Sequence, residues 1–141
     1  MKIKNICFAV NTIDQAKKVI DVSKKHKFKP IFFIKYYLVQ GFGVDWVNAF
    51  STLLKANFSK NAFELYVDAD KDYGLSIDLI NNNIDYVKLK SNTVIIKKIA
   101  QISKKNKVLL NPSFHIVDLT NIKNISVKIT NILLNGIKNE N

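Results

Sequence analysis

Apolar residues recur along this chain with two alternating periods, and the switches between them divide it into elements. Short runs rich in Ile, Val, Phe and Tyr read as strands: KNICFAV (4–10), PIFFIKY (30–36), AFELYVD (62–68), DYVKLK (85–90) and KVLLN (107–111). Between them the period lengthens to that of a helix. TIDQAKKVIDVSKKHK opens on a Thr12 cap and sets Ile13, Ala16, Val19 and Ile20 along one face. VDWVNAFSTLLKAN spaces Val47, Phe50, Leu53 and Leu54 in the same way. YGLSIDLINNN and TVIIKKIAQISKKN are shorter versions ending in Asn or Lys, which suits a helix C-terminus. NISVKITNILLNGI closes the series with Ile125, Ile129, Ile132 and Leu133 before a polar tail.

Strands and helices in strict alternation predict an α/β fold with a parallel sheet of about five strands joined by right-handed crossovers. Two architectures fit: a half-barrel of the TIM type, or a flavodoxin-like sandwich. With 141 residues the chain suits one domain, expected over 1–137, with 138–141 as a polar tail. A chain of this length buries about two thirds of its unfolded surface without a disulfide or structural metal. Its one cysteine, Cys7, lies in an apolar run and reads as a buried free thiol in a reducing compartment.

The third and fourth strands break the continuous apolar pattern of a sheet covered on both faces. In FELYVD, Glu64, Tyr66 and Asp68 share one face; in DYVKLK, Tyr86, Lys88 and Lys90 do. Matching these faces as parallel neighbours places Asp68 near Lys90, and Glu64 or Tyr66 near Lys88. Such a surface is costly to bury unless paired, so it is expected to line a cavity, the concave side of a partial barrel, or a subunit interface. The alternative is that one of the two strands lies at a solvated edge.

Charge changes the picture only in part. The net charge of +11 invites a nucleic-acid partner, yet all 22 basic residues are lysine. Without the arginine fork that grips phosphates and guanine edges in pairs, nucleic acid is disfavoured. Six acids, Glu64, Asp68, Asp70, Asp72, Asp78 and Asp85, are concentrated in one segment with a single lysine, Lys71. No apolar run approaches the roughly 18 residues of a membrane span, and MKIKNICFAV turns polar too soon for a signal peptide. The expectation is a cytoplasmic protein without a membrane partner.

Sites in parallel α/β proteins form at the C-terminal ends of strands. The candidate catalytic pair there is Asp68 and Lys90, with Asn11, Tyr36, Gln40, Asp70, Ser91, Asn92, Asn111 and Ser113 as candidate ligand-binding residues. Asp68, Asp70 and Asp72 match the first ligand positions of a calcium loop, but its sixth place, which needs Gly, is Tyr73, and its twelfth, which needs Glu, is Leu79. Neither phosphate-loop signature occurs, and Gly41-x-Gly43 before a helix reads as a turn. His26 and His115 stand apart and make no zinc site. No metal or cofactor is therefore expected. Phe32, Phe33, Tyr36, Tyr37, Phe42, Trp46 and Phe50 crowd one third of the chain and suggest core or an interface between copies, hence a homo-oligomer.

From Phe8 to about Ser91, the order of these features resembles the N-terminal half of class II fructose-bisphosphate aldolases. FAVNTIDQAKKVID is similar to that family's first strand, Asn-rich turn and first helix, and KPIFFI to its second strand. FELYVDADKDYGLSIDLINNNIDYVKLKSN resembles the segment from the His-x-Asp-His strand to the strand ending in Asp-Gly-Ser. The resemblance implies an aldolase-like barrel architecture and gives Asp68 the place of the family's catalytic aspartate. The next position, a zinc-binding histidine in the family, is Ala69, and of Asp-Gly-Ser only Ser91 is kept. The expected function is binding of a small anionic or carbonyl metabolite, with sugar phosphates among the candidates, without metal-dependent aldol cleavage. Two alternatives stay open: a metal-free lyase or isomerase using Asp68 and Lys90, and a structural or interaction protein with no ligand.

Overall fold

A computed structural model describes residues 6–135. The chain runs β1 (Ile6–Ala9), α1 (Ile13–His26), β2 (Ile31–Ile34), α2 (Tyr36–Phe42), α3 (Val44–Asn57), β3 (Glu64–Asp68), α4 (Tyr73–Asn81), β4 (Tyr86–Lys88), α5 (Thr93–Lys105), β5 (Leu109–Leu110), β6 (His115–Asp118) and α6 (Ile125–Asn135). The first residues of the first expected strand, the end of the last helix and the tail 138–141 lie outside the described residues.

All the strand pairings are parallel, in the order β5-β4-β3-β2-β1-β6. Five strands in sequential order correspond to the half-barrel alternative; a flavodoxin-like sheet would run 2-1-3-4-5. Right-handed crossovers between sequential neighbours place every helix on one face. The packing agrees: Phe8, Phe32, Ile34, Leu65, Val67 and Val87 meet Val19, Ile20, Phe50, Leu79, Ile99 and Ile129 of the helices in one continuous core. The expected solvated-edge alternative for the third or fourth strand does not hold, because β3 and β4 are both interior.

Local chemistry explains the element boundaries. Thr12 and Gln15 form a reciprocal capping box on α1, and Lys27 ends the helix in the left-handed region. Asp72 and Asn92 cap α4 and α5 by accepting from the Leu75 and Ile95 amides. Gly43, at φ 84°, takes the chain from α2 into α3 through a turn that L side chains rarely adopt. The expected strand at 30–36 stops at Ile34, and Tyr36 begins a helix instead.

The sixth strand is an addition to the sequence reading. Residues 111–114 lead from β5 to β6 with no helix between them, although those strands form opposite edges of the sheet. The Phe114 ring lies 4.9 Å from that of Tyr86 and 5.8 Å from that of Tyr66. In a flat sheet β6 and β4, four places apart, would be about 19 Å from each other. The sheet is thus curled into a trough, open rather than closed as a barrel, and the β5–β6 connection crosses its concave side.

Candidate functional site

Strand alternation sends every second side chain into this trough. Its floor is a small cluster of Cys7, Ala9, Phe33 and Tyr66, packed with Ile31, Tyr86, Phe114 and Ile116. Tyr66 stands edge-on to Phe33 at 4.9 Å and to Tyr86 at 6.2 Å, geometries that aromatic quadrupoles favour. The Tyr86 hydroxyl reaches Glu64 at 3.3 Å. Burial foremost pushes the Tyr66 hydroxyl up to about 12, helped by Cys7 and Asp68. Burial likewise takes the Cys7 thiol to about 12 despite the nearby Lys88 charge. Both groups are protonated at neutral pH, and Cys7 is fully buried, which disfavours it as a nucleophile.

Above this floor, towards the strand C-termini, the lining turns ionic. Lys35 donates to Asp118 Oδ2 at 2.6 Å. Asp118 Oδ1 in turn accepts from the Thr120 amide at 2.9 Å and hydroxyl at 2.6 Å. Burial would raise the Asp118 carboxyl, but the bonds from Lys35 and Thr120 and the Lys35 charge outweigh it and hold it below the ordinary carboxylate value. Asn11 accepts from the Tyr37 hydroxyl at 2.8 Å. Lys88 extends over the Phe33 ring, its Nζ 5.8 Å from the centroid.

The expected adjacency of Asp68 and Lys90 is not what the register gives. Asp68 lies opposite Lys88, and Tyr66 opposite Tyr86. Lys90 instead pairs with Asp70, Nζ to Oδ1 3.5 Å, and its side chain is 58% exposed. Asp70 adopts φ 50° as the chain leaves β3; its amide donates to Asp68 Oδ1 at 2.8 Å and its carbonyl accepts from the Lys90 amide at 2.7 Å. These bonds leave Asp68 Oδ2 unbonded among the described residues.

The other sequence candidates divide. Asn11 and Asp70 belong to the rim. Asn92 is occupied as the α5 cap. Asn111, at φ 53°, donates to the Leu89 carbonyl at 3.0 Å and accepts from the Leu89 amide at 2.8 Å, extending the ladder beside β4 with its side chain. Tyr36 and Gln40 lie on α2, Ser91 is exposed beyond β4, and Ser113 lies in the segment crossing the concave side. Sequence reasoning passed over Lys35, Lys88 and Asp118 as site residues. The alternation in FHIVD, with Phe114, Ile116 and Asp118 on one face, is the signal that could have found the last of these.

The metal implied by the class II resemblance finds no donor at position 69, where the alanine is fully buried. Among the described residues no group of three or more His, Cys, Asp or Glu side chains is placed to hold an ion. A polar cleft of about 390 Å³ lies at the opposite end of the sheet, lined by residues including Lys29, Asn48, Lys55 and Asp85. Its acidic neighbours are already engaged: Asp85 accepts from the Leu65 amide and Glu64 from Tyr86. The rim instead combines unengaged Lys88 and Asp68 atoms with the end of the sheet at which helices begin.

No family model matches the chain, and no curated protein matches it. Among solved structures it is similar to a chain from Coccidioides immitis assigned as a fructose-1,6-bisphosphate aldolase, with a TM-score of 0.61 and 10% identity. The match covers 74% of this chain and 39% of that one. The class defined here is an α/β protein of aldolase-like fold. At this identity the likeness shows the fold alone, and the chain spans well under half the length of the protein it resembles. No helix of the described residues is long and apolar enough to cross a membrane.

Proposed function

We propose that the protein binds a small anionic or carbonyl metabolite in the mouth of the trough, at the C-terminal ends of β1, β2, β3, β4 and β6. The observation that carries this reading is the placement of Asp68 opposite Lys88 in the β3–β4 register, above an aromatic floor and in the interior of the sheet. Polar groups converging over an apolar base are the usual makeup of a small-molecule site. Lys88 supplies a positive charge that no ion pair engages among the described residues, and α1, α4 and α5 direct their N-termini towards the same end, which favours an anion. The aldolase-like fold agrees with sites at this end of a parallel sheet.

Thermal unfolding in the presence of dihydroxyacetone phosphate, pyruvate and inorganic phosphate tests the reading. A ligand at a hundred times its Kd adds about 2.7 kcal/mol of stability, which raises the midpoint by several degrees in a domain of this size. The shift is expected in the wild type and should be lost in an Asp68→Ala, Lys88→Ala double variant. A shift of equal size in the double variant would move the ligand elsewhere, and none with any compound would favour a structural protein.

A further inference from the structure

Three lysines reach the mouth of the trough, and their surroundings differ. Lys35 is held by Asp118 at 2.6 Å, and Lys90 faces Asp70 at 3.5 Å. The side chain of Lys88, half-buried, has no hydrogen bond or ion pair among the described residues, and its Nζ lies over the Phe33 ring. The backbone beneath it is fixed from both sides. The Lys88 carbonyl accepts from the Ala69 amide at 2.8 Å, and Asn111 clamps Leu89 through both its amide and its carbonyl. An amine that no carboxylate occupies, on a braced interior strand and beside a carboxylate with one unbonded oxygen, is suited to covalent capture of a carbonyl.

We infer that Lys88, rather than Lys90, is the amine that holds an aldehyde or ketone ligand as an imine, with Asp68 carrying the proton. The inference rests on the binding reading above and specifies its ligand as a carbonyl compound. Lys88 gives a proton to Asp68, and the freed amine adds to the carbonyl carbon, forming a C–N bond as the oxygen takes up a proton from nitrogen. Asp68 then returns its proton to the departing hydroxyl. Water leaves and the nitrogen lone pair closes the C=N bond, so that ammonium and carbonyl give iminium and water in balance. The thiol on this face, Cys7, is buried and stays protonated.

The test is borohydride reduction of the full chain with dihydroxyacetone phosphate or pyruvate, followed by peptide mapping. Hydride adds to the iminium carbon and fixes the probe as a secondary amine. Labelling of Lys88 is expected to exceed that of the exposed lysines by at least about tenfold, because a bound carbonyl is presented to that amine at high effective concentration. It should persist in Lys90→Arg and vanish in Lys88→Met. Label spread over surface lysines with no excess at Lys88 would overturn the inference, and the wild-type map alone decides this even if a variant folds poorly. Thermal stabilisation by the same probes without a Lys88 adduct would overturn the imine and leave the binding reading standing. Neither adduct nor stabilisation would overturn both.

Discussion

On the convex face of the sheet, Phe8, Phe32, Leu65 and Val87 meet helices and are fully or almost fully buried. On the concave face the adjoining residues Ala9, Phe33, Tyr66 and Lys88 meet one another, and the lining changes from aromatic to ionic along the strands. The same strands thus serve two solvents. The outer side follows the packing rules of a protein interior, where shape and apolar area decide the residue. The inner side keeps polar groups that packing alone would not select, and holds them by register and side-chain bracing. Stability should therefore depend mainly on the first face, and ligand chemistry on the second.

Substitutions can break or sharpen that contrast. The largest effect is expected from Phe32→Ala. Phe32 is fully buried, edge-on to Phe50 at 6.4 Å and tilted against Phe63 at 5.8 Å. Its loss should cost about 3–5 kcal/mol in urea unfolding. Phe114→Ala, in the trough and only half-buried, should cost clearly less; equal losses would mean that the trough is itself a main core.

Next comes Asn111→Ala, which removes both bonds to Leu89 and places alanine at φ 53°. A loss of about 1–3 kcal/mol is expected by the same measurement. A neutral outcome would show that β4, and with it Lys88, is held by other contacts.

Alkaline pH probes the trough floor. The folded-state values of Cys7 and Tyr66 are raised from 9.0 and 10.0 to about 12, and that of Tyr86 likewise from 10.0. Their contribution is complete below the ordinary values and is lost as the pH rises from about 9 to 12, because the unfolded chain ionises first. Urea midpoints measured from pH 7 to 11 should fall less steeply for a Cys7→Ala, Tyr66→Phe variant than for the wild type. Parallel curves would contradict the buried placement of these groups.

The smallest effect belongs to the rim. Lys35→Met removes a partly exposed ion pair worth about 0–1 kcal/mol at neutral pH. Because the Asp118 carboxyl is held below its ordinary 3.8, this contribution is present above that value and lost as the pH falls through the lowered one. The two proteins should converge in strong acid, as followed by circular dichroism; a constant gap would point to packing of the Lys35 stem instead.

Much of the architecture was legible in the sequence. The alternation of strand and helix patterns gave the parallel α/β class, and the shared polar faces of FELYVD and DYVKLK marked the trough before its shape was known. Other features depend on pairings that no local pattern encodes. Asp68 lies opposite Lys88 because of the β3–β4 register, and shifting that register by two residues would have placed it opposite the expected Lys90 without altering any face. β6 was missed because it follows β5 with no helix between, which breaks the alternation on which the reading relied. Asn92 and Asn111 show a second limit: a polar residue at a strand end can bind a ligand or the backbone, and its type does not say which.

On the proposed function, ligand chemistry belongs to the mouth of the trough. Amide chemical-shift mapping of the wild-type protein titrated with dihydroxyacetone phosphate tests it most directly. Shifts are expected to concentrate at Ala9 to Asn11, Lys35, Asp68 to Asp70, Lys88 to Lys90 and Asp118 to Thr120. Shifts confined to Lys29, Asn48, Lys55 and Asp85 at the opposite end of the sheet would contradict it.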